Sequence, residues 1–407
     1  MLEPTPAESP RRFRALALIA AGELLAMSLW FSGSAVAPAV SAEWGLGATG
    51  VAWLTLSVQL GFVAGTLVSA VANLADVLST RGLFAVSAFL GAACNAALAL
   101  AARGPASGMA LRFLTGFFLA GVYPPGMKLM ATWFARGRGA ALGLLVGGIT
   151  LGKAFPYLVN AIGRGDCRDH VLAVSAMAAV GGAIVLVFVG EGPFAAASAP
   201  FDLAQVVKVF QNRGVRLADF GYFGHMWELY AMWTWMPPFL RASLAARGEP
   251  PRLAETASFV VIGSGFVGCV AAGLLADRYG RTAVTSAAMA VSGLCCLSIG
   301  LLFAGPPAAL LALAAVWGAS IVADSAQFSA CVTELADRRY IGTALTVQTC
   351  IGFLLTMVSI ELVPRLAAAA GWRWAFPALA IGPALGIVAM LRLRGLPEAA
   401  RIAGGRR

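Results

Sequence analysis

The stretch Glu23-Leu-Leu-Ala-Met-Ser-Leu-Trp30 returns 205 residues later as Glu228-Leu-Tyr-Ala-Met-Trp-Thr-Trp235, with five of eight positions identical. Two further matches keep the same order at nearly the same spacing. Leu74-Ala75-Asp76 recurs as Leu275-Ala276-Asp277 at an offset of 201, and Gly139-Ala140-Ala141-Leu142 resembles Gly342-Thr343-Ala344-Leu345 at an offset of 203. Chance similarity between apolar segments explains any one of these matches but not three in register, so the chain is an internal duplication. Each copy also carries a carboxylate inside a long apolar run.

Of the 407 residues, 59% are hydrophobic and 12% charged, with a mean hydropathy of +0.82; a soluble domain carries about 25% charged residues. The chain is therefore read as an integral membrane protein. At about 20 residues per span, its length allows about a dozen helices across a ~30 Å hydrocarbon core. The apolar runs fall at 15–37, 50–71, 83–101, 109–132, 139–162 and 171–189, then at 217–240, 256–276, 283–302, 308–332, 342–363 and 374–391. The expected organisation is all-α: a six-helix bundle over 1–189, a polar linker over 190–216 with room for a surface helix at 203–210, and a second six-helix bundle over 217–407. A parallel repeat of six spans is a signature of secondary transporters, whose halves rock about a site near the bilayer midplane.

The net charge of +10 arises from 29 Lys+Arg against 19 Asp+Glu, scattered between apolar runs with no aromatic-interleaved basic face, which excludes nucleic acid as a partner. Eighteen of the basic residues fall on the side of the termini and eight on the other, so the positive-inside rule places both termini in the cytoplasm, and the expected location is the inner membrane. Arg11, Arg12 and Arg14 resemble the start of a signal peptide. The run after them is span-length and many others follow, so it is expected to remain as the first span. Six of seven cysteines lie in apolar runs, Cys167 being the exception, and read as small core residues instead of a disulfide framework or metal site. No spaced metal ligands, nucleophile elbow or phosphate loop is present, so neither an enzyme nor a cofactor is expected.

Gly273-Leu-Leu-Ala-Asp277-Arg278-Tyr-Gly280-Arg281 lies between the eighth and ninth spans. Glycines there let helix ends approach, and the acid and arginines can form a latch that breaks and reforms. The copy after the second span keeps Asp76 but has Val77 for the Arg and lacks the second Gly. In the fourth span, Arg112-Phe-Leu-Thr-Gly116 precedes Tyr123-Pro124-Pro125-Gly126. These stretches resemble motifs of the major facilitator superfamily, and the resemblance covers the chain from first span to twelfth. It implies two pseudo-symmetric bundles, a central cavity lined by spans 1, 4, 7 and 10, rocker-switch alternating access, a functional monomer and an association of Arg112 with proton coupling. Two sub-patterns of that superfamily are missing: Lys153 follows Gly152 where drug antiporters carry Gly-Pro, and the second span offers Gln59 where nitrate carriers carry Arg.

Charges at mid-bilayer cost at least ~2.5 kcal/mol on insertion scales and mark functional sites or structural pairs. Glu23 and Glu228 lie 8 and 11 residues into their spans, roughly 12 to 16 Å deep at 1.5 Å per residue. Both are candidate proton or ligand sites, as are His225, one turn from Glu228, and the pair Asp324 and Gln327 of the tenth span. Arg112 and Lys153 are candidate sources of positive potential, whereas Lys128 stands where it can snorkel to the interface. Trp227 and Tyr230 are too deep for an interfacial belt and serve either as packing or as stacking walls; Trp235 and Phe239 fit the belt. The expected function is proton symport of a small organic, anionic solute. Proton-antiport efflux of aromatic or cationic compounds and a non-translocating membrane sensor are the alternatives.

Overall fold

The computed structural model describes residues 10–134, 138–163, 166–194, 210–337 and 340–406; the surface helix expected at 203–210 lies essentially outside them. Among the described residues the secondary structure is helical throughout. The first half comprises α1 (Arg12–Met27), α2 (Ala48–Val71), α3 (Thr80–Leu100), α4 (Pro105–Ala131), α5 (Arg138–Ile162) and α6 (Cys167–Phe188). The second comprises α7 (Arg213–Ala245), α8 (Pro251–Tyr279), α9 (Arg281–Leu302), α10 (Pro307–Leu335), α11 (Ile341–Ala370) and α12 (Trp372–Arg394). Ten of these helices are long and apolar enough to cross a bilayer by length and composition. The other two, α1 and α7, are the ones that carry the repeated Glu-Leu-x-Ala-Met stretch.

Side-chain caps fix several helix starts. Ser79, Asp166 and Asn212 each accept a hydrogen bond from a backbone N–H of the first turn, at α3, α6 and α7, which satisfies donors that the helix itself leaves open. Breaks have local causes as well. Helix α4 bends at 120–122, directly before Pro124 and Pro125, residues without an N–H to continue the ladder. The run begun by α1 loosens over 28–31 and resumes as Ser32–Ala35 and Ala37–Trp44, so what the sequence presents as one uniform span is three pieces.

The packing reproduces the duplication. In the first half α1 packs on α5 and α6, α2 on α4, and α3 on α4 and α6; in the second half α7 packs on α11 and α12, α8 on α10, and α9 on α10 and α12. Each pair in one half has its counterpart in the other. The joins between halves, α5 with α8 and α2 with α11, exchange under the same operation, as a pseudo-two-fold axis requires. Glycine makes the α2–α4 and α8–α10 joins possible: a methyl at Gly61 or Gly116 would strike the carbonyl of Phe113 or Val58, and one at Gly268 or Gly318 the carbonyl of Ala319 or Val261. Small residues of this kind let membrane helices touch backbone to backbone.

Outward-facing side chains are apolar, with Val71, Val187, Val267 and Leu294 each about two-thirds exposed, the surface that a bilayer would cover. Trp235 and Phe239 are not at that surface. Helix α7 runs to Ala245, more than a turn past the boundary read from the sequence, and both rings are drawn inside. Trp235 donates its indole N–H to the Ile360 carbonyl at 2.8 Å, and Phe239 packs on Phe303, Trp372 and Phe376.

Candidate functional site

Helices α1 and α5 pack on each other, and a side chain of α5 reaches across to α7. Gly152 of α5 lies against the Leu24 carbonyl of α1, a contact that only a residue without a side chain permits, and it brings the next residue, Lys153, beside the α1 acid. Lys153 is buried. Its ammonium donates to the Tyr230 hydroxyl at 2.5 Å, a bond from the first half to the second. Three rings surround it, with centroids 4.5 Å (Trp30), 4.8 Å (Tyr230) and 5.1 Å (Trp233) from Nζ, within cation–π range. Phe31, Phe62 and Phe353 back these rings.

Glu23 is fully buried and seated over Gly126, just after the two prolines of α4. Neither of its carboxyl oxygens has a hydrogen-bond partner among the described residues. Glu228 is bound instead. It accepts from Ser292 of α9 and from the Trp317 indole of α10, each at 2.7 Å. The two acids of the repeat are thus both buried but not in the same environment.

Arg112 reaches from α4 to five acceptors: the carbonyls of Leu29, Trp30 and Leu54, the Ser32 hydroxyl and the Asn95 amide oxygen. Two of these carbonyls belong to the broken segment after α1. A planar fork of five N–H donors suits such a task, and Arg112 faces backbone, not a carboxylate. Lys128 donates to the Ala75 carbonyl at 2.7 Å, near the end of its helix.

In the second half His225 lies with Nδ1 2.8 Å from Asp324, at the break in α10, so its partner is Asp324 and not Glu228 one turn away. Gln327 accepts from Arg281 at 2.6 Å, and Arg281 also binds both oxygens of Glu334. Gln327 is therefore joined to the expected latch and not to Asp324. Gly280, at φ +93°, ends α8 where a side chain would be strained, and Gly273 backs onto Gly143 of α5. Arg278 covers the Tyr279 ring, and the Asp277 carbonyl accepts from Arg406. The Asp76 side chain lies outside the described ones.

Trp227 and Tyr230 part company. Tyr230 belongs to the central ring cluster, whereas Trp227 donates to the Ala378 carbonyl at 3.4 Å and lines an apolar outer cavity of about 440 Å³ with Phe220 and Leu385. Sequence reasoning missed Asp219, buried and bound by Gln348 at 2.9 Å, because it stands beside the supposed start of its span. It also missed Trp30 and Trp233 as neighbours of Lys153, although the identity of Trp30 with Trp235 in the repeat had marked the first. A second bond between the halves, Thr356 to Gln59 at 2.6 Å, was equally silent.

The sequence profile of the Major Facilitator Superfamily matches residues 18–360. The chain belongs to that superfamily. No curated protein matches the sequence. A solved structure of the superfamily's proton:xylose symporter XylE, bound to 6-bromo-6-deoxy-D-glucose, aligns with a TM-score of 0.74 over 95% of this chain and 96% of that one, at 13% identity. At that identity the likeness is one of fold. As a member of the superfamily, the protein is a multi-pass membrane transporter whose central residues come from both bundles.

Proposed function

We propose that this transporter carries a small organic anion together with protons across the cytoplasmic membrane by alternating access, as a monomer with both termini in the cytoplasm and without a cofactor. One observation carries the reading. The Lys153 ammonium lies buried where the halves meet, and its partners are a neutral hydroxyl and ring faces, not a carboxylate. A cation kept at that depth without an acid bound to it is costly in a membrane and is retained for a ligand that supplies the negative charge. Glu23, buried beside it with both oxygens unbonded, is the proton site in this scheme, and the asymmetry of Lys and Arg supports the orientation. Occupation of Lys153 by an anion replaces the bond to Tyr230, so binding loosens one of the ties that hold the halves together.

The aromatic lining favours a second reading, export of aromatic cations with Glu23 as their counter-charge. Flux into proteoliposomes distinguishes the two. Uptake of organic anions is expected to rise with an inward proton gradient, and Lys153→Gln is expected to lower it at least ~30-fold, the usual consequence of removing one partner of a buried charged pair. Wild-type anion flux in Lys153→Gln, or gradient-driven exchange of cations alone, overturns the proposal. Binding without flux would instead indicate a sensor.

A further inference from the structure

We infer that the anion is a planar aromatic monocarboxylate; this names the substrate class of the central site and rests on the reading of Lys153 as its anion anchor. Charge fixes the number of carboxylates. Among the described residues Arg112 is engaged by five acceptors, Lys128 by a carbonyl near the end of its helix and Arg241 by Glu255, which leaves Lys153 as the cation facing the ring cluster. One ammonium matches one carboxylate. A second carboxylate on the ligand would be left among ring faces with no cation to answer it, and a buried unpaired charge is costly.

The walls fix the shape of the remainder. Trp30, Phe31 and Phe62 from the first half and Tyr230, Trp233 and Phe353 from the second form one continuous cluster, with neighbouring centroids between 4.8 Å (Phe62–Phe353) and 6.5 Å (Phe31–Tyr230). Rings from opposite halves already meet face to edge or tilted, as Trp30 does with Tyr230 and Phe353. A flat ring inserted between them gains the same quadrupole contacts, which a puckered ring or alkyl chain does not. A sugar would need many hydrogen-bonding partners, and this ring cluster is almost wholly apolar.

The hydrogen-bond inventory points to a carboxylate too. The indole N–H groups of Trp30 and Trp233 are buried without an acceptor among the described residues, and both belong to rings that surround the ammonium. A carboxylate is acceptor-only. It takes the bond that Lys153 now gives to Tyr230 and leaves that hydroxyl free to donate, so the ammonium and the two unanswered indole donors gain an acceptor.

The test is equilibrium binding to the purified full-length protein in detergent, with benzoate, cyclohexanecarboxylate, phthalate and xylose as probes. Benzoate is expected to bind roughly five- to tenfold more tightly than cyclohexanecarboxylate, the worth of an aromatic contact beyond its area, with phthalate and xylose far weaker. Trp233→Leu should bring the first two to near parity, Trp233→Phe should keep the preference, and Lys153→Gln should remove both ligands; melting curves confirm that each variant is folded. Equal or better binding of cyclohexanecarboxylate, still dependent on Lys153, overturns the aromatic class and leaves the anion reading intact. Tight binding of phthalate overturns the single charge. Binding of no carboxylate overturns both this inference and the reading beneath it.

Discussion

Glu23 and Glu228 stand at equivalent positions of the two repeats, yet one is unbonded and the other is held by Ser292 and Trp317. The partners explain the divergence. Ser292 and Trp317 reach Glu228 from α9 and α10, whereas among the described residues no side chain of α3 or α4 bonds Glu23. In the first half the helix opens over 28–31 and releases carbonyls, and Arg112 is turned towards them. Helix α7 runs unbroken through the corresponding residues 233–236, and the indole of Trp317 bonds the acid beside it. One copy of the duplicated carboxylate is thus unbonded where its helix breaks, and the other is held by two donors beside an unbroken helix.

The sharpest way to break that comparison is to neutralise each acid in turn. Glu23→Gln is expected to abolish the response of uptake to an imposed proton gradient, the rate ratio between acidic and neutral external buffer falling to about one, whereas Glu228→Gln keeps it; flux in proteoliposomes reads both. Gln can still accept from Trp317, so the second variant isolates charge from hydrogen bonding. Loss of coupling in Glu228→Gln alone would reverse the assignment.

Truncation separates the same pair by stability. Glu228→Ala leaves a buried indole N–H and a hydroxyl without an acceptor and opens a void, for an expected loss of ~3 kcal/mol in unfolding measurements. Glu23→Ala removes a group with no bond to lose and should cost under ~1 kcal/mol. Equal losses would mean that Glu23 is bound after all. Next in size, Arg112→Lys cannot serve carbonyls on separate segments with one ammonium and should lower stability by about 2 kcal/mol, more than Trp317→Phe, which forfeits one bond. The smallest effect is expected at the tie between halves: Thr356→Val should cost about 1 kcal/mol and change flux less than threefold. A larger change in flux would make Thr356, which matches Lys153 at the 203-residue offset, a second working residue of the pathway.

The duplication, the order of helices and the burial of Glu23 and Lys153 were legible in the sequence, because charge inside an apolar run and identity at fixed offset are one-dimensional signals. The partners were not. His225 shares a face of α7 with Glu228 by helical spacing, but the choice of Asp324 is made by where α10 breaks. Arg112 looked like a free positive charge because its acceptors are backbone carbonyls, released by a helix break inside what reads as a uniform apolar run. The rings around Lys153 were present as letters, but which aromatic side chains gather around one ammonium is decided by helix packing between the halves. Trp235 and Phe239 show the converse, belt-like by position and interior by packing.

The Arg112 clamp also bears on how the chain is made. Its acceptors come from the broken first span, from Leu54 of α2 and from Asn95 of α3, all of which emerge from the ribosome before Arg112 itself does. A guanidinium entering lipid alone is expensive, but here every group that will receive it has already been synthesised when it arrives. The fourth segment is thus expected to leave the translocon in company with its predecessors, and nascent chains in which Asn95 and Ser32 are replaced by apolar residues should insert that segment less efficiently than the native order allows.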